Sequence, residues 1–110
     1  MNFYQWRQNN TGGSFITDGD LSRFVVIEAE GYAQAEEKAL NLGIYYNGVD
    51  SDRDCSCCGD RWYEGDLVEL KDGDTIEAYL QRNEDEYFWH GTMTILHLAD
   101  GSKKTFEGKK

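Results

Sequence analysis

Three cysteines stand within four residues, Cys55-Ser56-Cys57-Cys58, and Gly59 follows them. Cys-x-x-Cys-Gly is the spacing of a zinc knuckle, in which two thiolates reach one ion and glycine permits the tight turn. A closed tetrahedral site needs two further ligands, and the chain offers Cys57, His90, His97 and nearby aspartates rather than a second Cys-x-x-Cys. Two chains in a symmetric dimer would also complete it. Zinc held by Cys55, Cys57, Cys58 and His90 is therefore one expectation, with Ser56 standing where knuckles often carry proline. Reduced thiols with a packing role are the other, because an odd, adjacent set does not form a disulfide framework and suits a cytoplasm. Redox chemistry comes third: Asp52, Asp54 and Asp60 would raise the thiol pKa values, with Arg53 and Arg61 only partly opposing them.

Other constellations in this stretch are weaker. Asp50-x-Asp52-x-Asp54 opens like a calcium loop, but Cys55 stands where glycine is required and Arg61 where glutamate is required. Arg61-Trp62-Tyr63 combines the residue types that dominate binding hot spots, and Trp62 equally suits a place over one end of the core. No motif brings a cysteine or serine to either histidine, so the chain is not expected to be an enzyme.

Charge adds a second theme. The chain has 110 residues and a net charge of −10. Thirteen acids lie between Asp50 and Glu86 against four bases, so nearly the whole excess sits in one third of the chain. Such a surface repels a phosphate backbone, which disfavours direct nucleic-acid binding, and attracts a basic protein surface. Solubility alone is the plainer reading of the same acids. The longest apolar run, Phe24 to Ile27, is far short of the roughly 20 residues that cross a bilayer, and the N-terminus lacks a signal-peptide core, so no membrane partner is expected.

The elements that must position these residues can be read in order. Phe3 to Trp6 and Phe15 to Thr17 flank a turn-forming Asn9 to Ser14 and read as an opening hairpin. That loop lacks the lysine and following helix of a phosphate-binding loop. Phe24-Val25-Val26-Ile27 is apolar on both faces, as a central strand is. Tyr32, Ala35, Ala39 and Leu42 form one helical stripe ending at Gly43, with Glu36, Glu37, Lys38 and Asn41 on the wet side. Leu67 to Leu70, Thr75 to Leu80, Tyr87 to Trp89, Met93 to Leu98 and Lys103 to Phe106 read as strands, the last two joined by an Asp100-Gly101 turn. The expected fold is α+β: a mainly antiparallel sheet with one helix, residues 32–42, on one face and an irregular Cys-rich acidic loop. Residues 1–107 form a single domain, and 108–110 a basic, frayed tail.

Three segments carry a resemblance: Trp6 to Phe15, Val26 to Val49, and Asp54-Cys55-Ser56-Cys57-Cys58-Gly59-Asp60-Arg61-Trp62-Tyr63. Together they resemble a group of small proteins encoded by tailed bacteriophages, over roughly the first 63 residues. Cys-x-Cys-Cys-Gly-Asp-Arg-Trp is the most specific block. The resemblance implies a phage product in the cytoplasm of an infected bacterium and carries over no activity. The resulting expectation is a non-enzymatic accessory protein, monomeric or homodimeric, that binds a basic host protein surface through Asp52, Asp54, Asp60, Arg61, Trp62 and Tyr63. A small zinc module is the alternative.

Overall fold

The computed structural model describes residues 1–8, 20–46, 50, 59–63, 65–70, 73–82 and 93–107. Strands β1 (Asn2–Arg7) and β2 (Phe24–Ala29) are followed by helix α1 (Tyr32–Leu42), strand β3 (Asp66–Leu67), helix α2 (Ile76–Arg82) and strands β4 (Met93–His97) and β5 (Lys103–Glu107). The strands form one sheet in the order β3-β1-β2-β4-β5. All neighbours run antiparallel except β2 and β4, which are parallel, so the fold is α+β with a mostly antiparallel sheet.

β2 takes the centre because its side chains are apolar on both sides: Phe24, Val25, Val26 and Ile27 are all fully buried. Alternation sends Val25 and Ile27 to one core, with Tyr4, Trp6 and the α1 alanines, and sends Phe24 and Val26 to another, with Leu96, Ile76 and Leu80. On the first face, Ala35 and Ala39 are fully buried, and their small side chains let α1 lie close to the sheet. Gly43 ends that helix in the left-handed region at φ 111°, and Ile44 N–H donates to Ala39 O in the closing turn expected of a helix-terminating glycine.

The second face departs from expectation. Thr75 to Leu80 reads as a strand in the sequence, but Ile76 to Leu80 lie in α2 and Thr75 stands just before it. Its short alternating pattern also places Ile76 and Leu80 four residues apart, and this spacing buries both against Phe24, Val26 and Leu96. Thr75 Oγ1 accepts a hydrogen bond from Ala78 N–H at 3.1 Å, which caps the helix. A second helix therefore covers the face that a one-helix reading leaves open. The expected strand from Leu67 to Leu70 shrinks to Asp66–Leu67, beside β1. β1 forms as read and pairs with β2 and β3 among the described residues; Phe15 to Thr17, its expected hairpin partner, and the expected strand Tyr87 to Trp89 lie outside them.

The β4–β5 turn forms as expected. Gly101 has φ 93° and donates its N–H to Leu98 O, while the Asp100 carboxylate accepts from Ser102 N–H at 2.8 Å and from its hydroxyl at 2.6 Å. These two donors from Ser102 hold the Asp100 carboxyl below the usual carboxylate range.

Candidate functional site

Residues 59–63 return to the start of the sheet. Gln8 and Trp62 form an isolated antiparallel bridge, and Tyr63 N–H donates to Arg7 O at 3.1 Å. Extended backbone sends neighbouring side chains to opposite sides, and the three candidate hot-spot residues are divided accordingly. Trp62 is 3% exposed and packs into the α1-side core, whereas Tyr63 is 46% exposed. Arg61, half-buried, donates through Nη1 to Gln8 Oε1 at 3.4 Å, and Gln8 Nε2 donates in turn to Ser22 O at 2.8 Å. Of the three, Tyr63 alone presents a large surface to a partner.

Beside Tyr63 lies an open cleft of about 400 Å³. Gln5 and Arg7 line it from β1, Tyr63, Asp66 and Glu69 from the segment running through β3, and Tyr79 from α2. Period-two alternation places Gln5 and Arg7 on the sheet face opposite Tyr4 and Trp6. The Arg7 guanidinium lies 4.6 Å from the centroid of the Tyr63 ring, a contact worth about 0.5–1 kcal/mol at an exposed site. Asp66 and Glu69 are exposed, and Leu67, 51% exposed, adds apolar surface. Two carboxylates against the one cation among the described lining residues, Arg7, leave the groove acidic on balance, and with Tyr79 and Leu67 beside them it suits a further lysine or arginine side chain, whose stem packs on apolar surface while its head meets carboxylates.

Gly65 brings this segment close to the core. A Cβ at position 65 would stand 2.5 Å from Trp6 Cε2, so only glycine lets the backbone pass the buried indole. Trp6 is held in turn by Nε1–H donation to Tyr46 Oη at 2.7 Å and by stacking on Tyr32.

The remaining expected site residues are placed as follows. Asp60 is exposed. Cys55, Cys57, Cys58, Asp52, Asp54 and His90 lie outside the described residues. His97, a possible further ligand, sits in β4 with Nε2 at 2.8 Å from Asp20 O; a carbonyl only accepts, so Nε2 carries the proton. Among the described residues, no three His, Cys, Asp or Glu side chains converge to hold a metal ion, and no helix is long and apolar enough to cross a membrane.

Sequence reasoning found Tyr63 but missed Gln5, Arg7, Asp66, Glu69 and Tyr79 as a group. One signal was available: Gln5 and Arg7 are polar at alternate positions beside Phe3, Tyr4 and Trp6, so they share a face. Tyr79 joins them only because its segment is helical rather than the strand its sequence pattern suggests.

No curated protein and no solved structure matches this chain. The family model described as "Domain of unknown function (DUF7296)" matches residues 1–110, and the chain belongs to that family.

Proposed function

We propose that this protein is a non-enzymatic phage accessory protein that binds and modulates a host protein in the cytoplasm of an infected bacterium, in host takeover or in countering a defence. The partner presents a basic segment, and the cleft between β1, β3 and α2 receives it. The carrying observation is that Asp66 and Glu69 outnumber the one cation among the described lining residues, Arg7, beside Tyr63 and Tyr79 in one open groove of about 400 Å³. The concentration of acids between Asp50 and Glu86 supplies long-range attraction, which acts mainly on the association rate and weakens with salt.

The test is capture from bacterial lysate by the wild-type chain and by Tyr63→Ala and Asp66→Lys/Glu69→Lys variants, at low and at physiological salt. A partner recovered by wild type and lost by both variants is the expected result. Recovery of no partner at either salt, or equal recovery by all three proteins, overturns the reading.

A second reading has one observation behind it. Gly59, which closes Cys-x-x-Cys-Gly, adopts φ 87°, the left-handed turn that a knuckle glycine makes. A zinc-binding structural or regulatory module would retain one zinc per chain, or one per dimer, in native mass spectrometry of protein purified without added metal or chelator. A folded, metal-free chain removes this reading.

A further inference from the structure

We propose that β5 pairs with the β5 of a second copy, antiparallel about a two-fold axis at Thr105, so that one sheet runs continuously through a homodimer. This surface is separate from the cleft, since β3 and β5 are the two opposite edges of the sheet that the described residues form. Among the described residues only β4 pairs with β5.

The first argument is the phase of the main chain. Leu98 N–H donates to Ser102 O at 2.9 Å, which makes 98 and 102 a hydrogen-bonded pair at the head of the β4–β5 ladder. In an antiparallel ladder such pairs alternate, and the register Leu96↔Lys104 and Thr94↔Phe106 continues the same phase. Lys104 and Phe106 therefore turn their main-chain groups toward β4. Thr105, between them, turns its N–H and C=O to the outer edge, where a second Thr105 exchanges two hydrogen bonds with it across the axis.

The second argument is charge. A two-fold axis at Thr105 places Lys103 of one copy opposite Glu107 of the other, twice, and directly opposite unlike charges stabilise a strand pair. The strand Lys103-Lys104-Thr105-Phe106-Glu107 is thus complementary to itself when reversed. Lysines on an edge ordinarily guard against such pairing. Here Lys103 lies 3.2 Å from Asp20 and Lys104 3.6 Å from Glu77, so their charge is partly balanced within the chain. With two lysines and one glutamate in a chain of net charge −10, β5 is also an edge where a second acidic copy meets little repulsion, whereas the β3 edge exposes Asp66.

Sedimentation velocity across a wide range of protein concentration tests the proposal on the full chain. Wild type should convert from monomer to dimer as concentration rises. Thr105→Pro removes an N–H that β4 does not use, so its circular dichroism should match wild type while the dimer is lost. Glu107→Lys sets like charges opposite each other and should weaken the dimer about tenfold. Adding Lys103→Glu to Glu107→Lys restores unlike pairs and should recover it. Wild type that stays monomeric throughout, a dimer that survives Thr105→Pro, or a double variant as weak as the single one overturns the proposal. Growth beyond the dimer also overturns it, since that would mean β5 stacking on the β3 edge of the next copy in an open chain.

Discussion

At the residue scale the informative contrast is between Trp62 and Tyr63. The types of both residues suit a binding anchor, and the sequence offers no way to choose, because which of two neighbours faces the core depends on pairing with a residue 54 positions away. The bridge to Gln8 makes that choice, turning Trp62 inward and Tyr63 outward. Gly65 is a consequence of the same approach. Gly65→Ala should destabilise the protein by about 1–3 kcal/mol, the usual cost of forcing an atom into a packed core, because the fully buried Trp6 indole has no room to retreat. Urea unfolding measures it, and an unchanged midpoint would show that the segment can lift away. The β-turn supplies a second residue-level prediction. Ser102→Ala removes the hydroxyl that donates to Asp100, so the carboxyl pKa should rise toward its ordinary value in an NMR titration. A carboxylate with a depressed folded pKa adds stability above its unfolded pKa. That contribution is lost as pH falls through the folded pKa, so the difference between wild type and Ser102→Ala should vanish in acid.

At the element scale, legibility followed the length and burial of each segment. α1 could be read because eleven residues carry one stripe and a glycine stop, although its start has only Gly31, which offers no side-chain cap, and β2 because an apolar run that short has room only in a sheet centre. α2 could not, since Thr75 to Leu80 fits period two and period 3.6 equally well and only the partner surface decides between them. The apolar surface left open by α1, with Phe24, Val26 and Leu96 at its centre, favours the arrangement that buries Ile76 and Leu80 together. The helix makes a testable difference. Thr75→Ala should cost about 1 kcal/mol as a lost cap, and Leu80→Ala about 2–5 kcal/mol as a cavity beneath the helix. A strand in this place would leave Thr75→Ala near neutral. The cleft was invisible for the same reason: Tyr79 reaches it only from a helix, and Asp66 and Glu69 reach it only because β3 lies beside β1.

At the scale of the whole molecule, two helices cover opposite faces of a sheet whose central strand belongs to both cores. Val25 and Ile27 pack beneath α1, and Phe24 and Val26 beneath α2, so neither layer can lose its packing without disturbing the backbone that orders the other. Unfolding should therefore be one cooperative event despite the two separate hydrophobic clusters. Trp6 and Trp62 both lie in the α1-side core, which makes indole fluorescence a reporter of one layer, while far-ultraviolet circular dichroism reports both. The experiment uses a Trp89→Phe background, leaving only those two indoles, and adds Leu80→Ala, which injures the opposite layer. Fluorescence and dichroism midpoints should coincide in the background protein and shift together in the Leu80→Ala variant. An α2 layer that melts first, with fluorescence following later, would mean that β2 transmits no stability between its faces. The cleft between β1, β3 and α2 would then be a surface that opens independently of the rest of the fold.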